Sequence, residues 1–310
     1  MLFDIHGDIW TDVTTKRLKG ERDIIRRYHL DRFRKGGQVG GVFVIWIDPP
    51  YDANPKERIE KSIRAACAEI WENQDILSVI RDQAGFYKAV QSRKQAIVLA
   101  LEGLSAIDEQ VDSIYTFFQM GFKQASLTWN EQNALATGVR GDASRGLTAA
   151  GKEAVCIMQN VGMILDVSHA NDRTFWDIAE ISHRPFIASH SNARALCDVP
   201  RNLTDAQIRV IGESGGLVGI NAFHEFVHED KAKRDLDHLL GHLEHIVSLI
   251  GIDHVALGFD FFEYLTTNTT ESFIQEEYEG TIGLEDISKG PMLVKTLEKN
   301  VFGKEDIEKI

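Results

Sequence analysis

Residues 162–191 read GMILDVSHANDRTFWDIAEISHRPFIASHS, and this stretch decides the fold class. Two short apolar runs, Met163–Val167 and Phe186–Ala188, each lead into a serine and a histidine: Ser168-His169 and Ser189-His190. The segment between them has the length of one helix with its loops. A strand–helix–strand unit of this kind joins parallel strands. In parallel α/β sheets, ligands collect beyond the carboxyl ends of the strands. His169 and His190 therefore stand where chemistry is expected, on neighbouring strands and at the same end. The plainer alternative for each is a hydrogen-bonded structural histidine.

Working outward, the alternation continues in both directions. Candidate strands are Leu2–Ile5, Gly41–Ile47, Ala96–Leu101, Gln124–Thr128, Met163–Val167, Phe186–Ala188, Leu217–Asn221 and Val255–Phe259. Candidate helices between them include Glu21–Phe33, Pro55–Ser92, Asp108–Met120, Thr148–Val161, Asp172–Ser182, Thr204–Glu213 and Arg234–Ile250. Near-continuous apolar strands, each followed by a helix, predict a (β/α)8 barrel with its active site at the C-terminal ends of the strands. An open doubly wound sheet is the alternative. No low-complexity linker or charge block splits the 310 residues, so one domain over 1–310 is expected.

Bulk composition narrows the function classes. The chain is 43% hydrophobic and 26% charged, as soluble globular proteins are. No apolar run approaches the ~20 residues of a membrane span. A net charge of −13 argues against nucleic acid and anionic membranes as partners. The N-terminal MLFDIHGDIW has no signal-peptide pattern, so a cytoplasmic location is expected. Cys67, Cys156 and Cys197 form neither a disulfide framework nor a paired metal motif, which suits a reducing compartment.

The remaining strand ends carry the chemistry. His6 and Asp8 flank Gly7, and period-two alternation puts both on one face, a chelating pair for a divalent metal such as zinc. The bland alternative is a polar surface hairpin. Asp48 precedes Pro49-Pro50 and reads as part of a strand-ending turn, with a place at the rim of the site left open. Glu102 ends the apolar run IVLALEG, and a buried carboxylate there needs a partner or a metal. No lysine ends a strand, so Glu102 is the candidate bridge between two cations, against an N-cap or a salt bridge. Trp129 ends the fourth strand and opens a long polar loop, NEQNALATGVRGDASRG, in which Asn130, Asn133 and Arg140 are candidate substrate contacts. Arg201 can grip a carboxylate in a bidentate fork, or form an ordinary ion pair. His238, His242 and His245 fall on one helix face but form no HExxH and belong to an outer helix. Asp260 ends the last strand, where an acid can act as base and then acid. Metal-assisted hydrolysis is the reaction class that this set suits, with two metals lowering the pKa of a shared water as a bridging hydroxide.

The motifs FDIHGD, LALEG, GLTAAGKEAV, GMILDVSH, PFIASHS, PRNLTD and GFDF, taken in order, resemble the renal (membrane) dipeptidase family of zinc peptidases, related to amidohydrolase barrels. The resemblance covers nearly the whole chain. It implies two zinc ions per chain, one on His6, Asp8 and Glu102 and the other on Glu102, His169 and His190. It also implies Arg201 as the anchor of the substrate carboxylate, Asp260 as the proton-transfer residue, and dipeptide substrates, often with a D-residue at the C-terminal position. The expected partners are such a small dipeptide and a second copy of the chain in a homodimer. Two departures stand out. Trp129 occupies the place of a histidine that faces the substrate oxyanion in better-known members. The usual Asp-Phe-Asp-Gly reads Asp260-Phe261-Phe262-Glu263, losing the second acid. The competing functions are an amidohydrolase acting on another small amide or lactam, and a binding protein on a barrel with decayed catalysis.

Overall fold

The computed structural model describes residues 1–265, 267–270, 280–300 and 302–310. Its strands are β1 (Leu2–Gly7), β2 (Gln38–Trp46), β3 (Leu77–Val79), β4 (Gln95–Glu102), β5 (Phe122–Ser126), β6 (Ile164–Asp166), β7 (Val218–Ile220) and β8 (Val255–Leu257). One sheet runs β1-β2-β4-β5-β6 with every pairing parallel, and β7 pairs with β8 in parallel as well. Residues 186–188 join the two sheets through single parallel bridges, Asp166 to Ile187 and Ala188 to Val218. The result is the expected curled parallel sheet, walled by helices.

Between β8 and β1 the closure passes through a side chain. Asp4 Oδ1 accepts the Phe259 and His6 backbone N–H groups, each at 3.1 Å. Burial pushes the Asp4 carboxyl up to about 8. The run VFVIW of β2 is buried on both faces, as central parallel strands are. Its register against β4 sets Trp46 opposite Glu102, so both side-chain rows end at the same height.

Helix starts follow their capping residues. Thr148, Asn171 and Asp235 each accept a backbone N–H in the first turn of Ala149–Val161, Asp172–Ile181 and Leu236–Ile250. Thr204 and Gln207 form the reciprocal capping box that their spacing predicts. These helices bury Val155, Met158, Phe175, Ile178, Ile208, Ile211, Leu239 and Leu243 against the sheet.

Three segments differ from the sequence reading. The one or two helices expected over Pro55–Ser92 are the two helices Pro55–Glu72 and Gln83–Gln91, but the strand β3 between them was not expected; it pairs on β4 below β5. Helix Ile9–Leu18 was not expected, whereas the helix expected over Glu21–Phe33 is present with a later start, its π-helical turns Ile25–His29 running into helix Leu30–Gly36. Phe186–Ala188 is reduced to single bridges. There the backbone is squeezed: a Cβ on Gly219 or Gly258 would lie 2.0 or 1.7 Å from the Ser189 carbonyl oxygen. Only glycine lets β7 and β8 approach the chain that carries His190 so closely. Among the described residues, no helix is long and apolar enough to cross a membrane.

Candidate metal centre

The barrel brings the strand-end residues to one place. His6 lies near the end of β1 and Asp8 directly follows it, Glu102 ends β4, His169 follows β6, His190 follows the 186–188 bridges and Asp260 follows β8. His6, Asp8, Glu102, His169 and His190 are all buried. His169 and Asp260 hold φ of +71° and +60°, a left-handed conformation that non-glycine residues adopt at a cost of about 1–3 kcal/mol. That strain turns both side chains inward from tight bends.

Glu102 sits at the centre. Its Oε1 lies 2.7 Å from His169 Nε2 and 3.4 Å from His190 Nε2, while its Oε2 lies 3.7 Å from His6 Nε2. Asp260 Oδ1 is 3.7 Å from the same His6 nitrogen. Ligand atoms of His6, Glu102 and His190 lie within 4.8 Å of one another, as do those of His6, Asp8 and Asp260.

The ring nitrogens show what the cluster suits. His169 Nδ1 meets the Asn130 side-chain oxygen at 2.8 Å, so Nδ1 carries the proton and Nε2 is bare. His190 Nδ1 meets Ser189 Oγ at 2.7 Å, and that hydroxyl donates to Asp166 Oδ2, so His190 Nε2 is bare as well. The two Nε2 atoms are 2.8 Å apart, lone pair facing lone pair. Such a contact is repulsive unless a cation lies between the nitrogens and Glu102. Among the described residues, His6 Nε2 and Asp8 Oδ1 find no hydrogen-bond partner, although a buried acceptor is costly to leave unsatisfied. These orphaned lone pairs fit the same requirement.

Electrostatics agree. Burial drives the Asp8 and Glu102 carboxyls well up and Asp260 up to about 6. It drives His6 down to about 3, and His169 and His190 well down, keeping the imidazoles neutral and able to coordinate.

A cavity of about 290 Å³ opens above the cluster. Arg201 is buried in its wall, with Nη2 donating to the His190 carbonyl oxygen at 3.2 Å and reaching His169 Nε2 at 3.3 Å. Trp129 stands opposite, its ring 5.0 Å from Trp46 and under the Arg140 guanidinium at 5.8 Å. Asn130 lines the cavity, and its side-chain oxygen is engaged by His169. Asn133 lies off the cavity lining and ties Leu127, Leu135 and Ala136 together within the loop. Asp48 is bonded to the buried Arg58 at 2.7 Å. His238, His242 and His245 are held separately by Asp235, Val227 and Asp205.

Sequence reasoning missed several contributors. Asn221 Nδ2 donates to Asp260 Oδ2 at 3.1 Å and to the His190 carbonyl at 3.3 Å. Ser189 and Asp166 stand behind His190, and the serine preceding each strand-end histidine was their signal. Trp46, Phe223, Phe226 and Phe262 complete the apolar wall with Glu225, without any motif to announce them.

Comparison with known proteins then decides the family. The sequence profile of the membrane dipeptidase family, peptidase family M19, matches residues 1–310. The chain belongs to that family. Its relatives include an uncharacterized Klebsiella pneumoniae protein from the pqqA 5′ region, 39% identical over 176 residues, which are 54% of this chain and 65% of that one. The match thus spans slightly less than two thirds of that relative. Among solved structures, the M19 metallopeptidase described as dipeptidase AC is 25% identical, with a TM-score of 0.84 over 100% of this chain and 94% of its own. A Rhodobacter sphaeroides metallopeptidase liganded with a phosphinate mimic of L-Ala-D-Ala shares the fold, at 24% identity and a TM-score of 0.84, covering 100% of this chain and 95% of that one. The M19 assignment makes this a chain of a metallopeptidase family, and the resemblance expected from the motifs holds.

Proposed function

We propose that this protein, as one domain over residues 1–310, hydrolyses dipeptides with the help of two zinc ions. His6, Asp8 and Glu102 would hold one ion, and Glu102, His169 and His190 the other. The observation that carries the reading is the pair of bare Nε2 atoms 2.8 Å apart beside the Glu102 carboxylate. Imidazoles and carboxylates without a thiolate suit zinc. Held there, the ions would supply Lewis-acid chemistry, acidifying a water and polarising the scissile carbonyl.

The protein's own groups do the rest. Arg201 meets the substrate carboxylate with its planar fork. Asp260, steadied by Asn221, takes a proton from the attacking water and passes it to the leaving amine. The cavity is at the small end of ordinary ligand pockets, about 300–1,000 Å³, which favours a dipeptide over a longer peptide. The phosphinate mimic of L-Ala-D-Ala in the Rhodobacter sphaeroides protein supports including C-terminal D-residues among the substrates.

Metal analysis with a dipeptide-library screen tests this reading. Two ions per chain are expected at saturating zinc, with hydrolysis lost to a chelator and restored by Zn²⁺. One ion or none would count against the pair. Cleavage of N-acyl amino acids in preference to dipeptides would favour the amidohydrolase alternative.

Trp129 shapes which dipeptides fit. An indole donates one hydrogen bond but cannot become cationic, so it stabilises an oxyanion less than an imidazolium does. With Trp46, Phe223 and Phe226 it makes an apolar wall suited to a bulky side chain. Dipeptides with an aromatic residue are expected to outrun alanyl ones by about 10–200-fold in kcat/KM, the range a hydrophobic pocket supplies. Trp129→His should narrow that ratio and raise turnover of simple dipeptides at constant metal content. A ratio unchanged by the substitution would remove Trp129 from selectivity.

A further inference from the structure

We propose that Ser189 is a positioning residue that fixes the tautomer of His190 and His6 together, and so links the two cation positions through one hydroxyl. The inference rests on the functional reading above and concerns residues behind the ligands, not the ligands themselves.

Ser189 is fully buried, and its hydroxyl has one proton to give and two lone pairs to offer. The proton goes to Asp166 Oδ2. Asp166 is itself locked: Oδ1 accepts the Ser168 and Ser189 backbone N–H groups, each at 3.0 Å, and Oδ2 accepts the Gln124 amide at 3.3 Å. With its proton committed, Ser189 Oγ can only accept from the two imidazoles it faces. They are His190 Nδ1 at 2.7 Å and His6 Nδ1 at 3.4 Å. Both rings therefore keep the proton on Nδ1 and turn a bare Nε2 toward Glu102, His190 to Oε1 and His6 to Oε2.

The geometry around the hydroxyl serves the same end. The His6 and His190 rings lie against each other with centroids 3.6 Å apart, so neither can swing away without disturbing its neighbour. Gly219 and Gly258 crowd the Ser189 carbonyl and fix its backbone. His169 stands apart from this device, since Asn130 sets its tautomer. One hydroxyl thus orients one candidate ligand of each cation position. The histidine-to-carboxylate link common behind metal-bound imidazoles runs here through a serine shared by two rings.

Three variants test the assignment, by zinc titration against a competing chelator and by ¹⁵N spectra of the histidine rings in metal-free protein. Ser189→Ala is expected to weaken both zinc positions by about 10–100-fold, the usual effect of an outer partner, while Asn130→Ala weakens one. Asp166→Asn keeps the volume but puts an amide donor opposite Oγ. That turns the hydroxyl proton toward His190 Nδ1 and should move the ring proton of His190 to Nε2, visible without any metal. Thermal unfolding of the metal-free variants separates this from a general loss of structure. Loss at one position alone in Ser189→Ala, or wild-type ring tautomers in both Ser189→Ala and Asp166→Asn, would overturn the proposal. Wild-type protein that binds no zinc would instead overturn the functional reading, and the metal-free ring spectra would still judge Ser189.

Discussion

Glu102→Gln is expected to strip both cations from the protein, whereas His169→Ala should weaken only one position. The reason lies in how the carboxylate is shared. One oxygen of Glu102 faces His169 and His190, and the other faces His6. Glutamine keeps the shape but replaces one oxygen with an NH₂ group, which aims protons at nitrogens that already need a cation. It also removes a negative charge that would balance two dications. Loss of an outer partner alone costs about 10–100-fold in affinity. Loss of a shared ligand should exceed that at both positions, and activity should fall with metal content. Equilibrium dialysis with metal analysis checks it. A Glu102→Gln protein that retains one ion at wild-type affinity would remove Glu102 from the bridging role.

Much of this centre was legible before any coordinates, because parallel barrels place strand ends by rule. His6 and Asp8 were paired by period-two alternation, and His169 and His190 by the twin Ser-His strand ends. What was not legible depends on what lies opposite. Leu77–Val79 is a strand only because the lower half of β4 offers it an edge, and three residues carry no periodicity of their own. Helix Ile9–Leu18 was missed although an aspartate, a residue type that caps helices, stands directly before it. Its N-cap, Asp8, makes no capping hydrogen bond and lies among the buried residues of the site. The site takes the side chain that would otherwise cap the helix, and reading Asp8 only as a ligand hid its place before one.

The outer partners hide for a related reason. Asn221 could be placed at a strand end from the sequence, yet its contact with Asp260 requires β7 and β8 to be neighbours. Asn130 was expected to meet substrate. It does line the cavity, but its side-chain oxygen orients His169. Trp129 was visible as a departure from its family, while Trp46 joins it from the end of β2 and Phe226 from the short helix His224–Val227, which no spacing connects. Composition spoke to partners only by exclusion, through the charge of −13.

Asp260→Asn should leave zinc content nearly intact and lower kcat by about 10²–10⁴-fold, the contribution of a well-placed acid–base group. The structure gives Asp260 two faces. Toward the cluster, Oδ1 lies 3.7 Å from His6 Nε2, near enough for it to be read as a ligand beside His6 and Asp8. Toward the cavity, it is more exposed than the other carboxylates, with 19% of its side chain open against 5% for Glu102. Asn221 holds Oδ2 from behind, which aims the carboxylate without consuming its proton-accepting role. Burial lifts its carboxyl to about 6, with the Arg201 charge and the Asn221 hydrogen bond opposing the rise. A group so poised can accept a proton from water and surrender it to an amine, which a fully ionised surface aspartate does poorly. Asparagine preserves the Asn221 contact and the volume but can neither take nor give that proton, so KM should change far less than kcat. Steady-state kinetics with parallel metal analysis decide between the faces. An activity loss that tracks loss of zinc would make Asp260 a ligand, and the proton would then have to travel by another route.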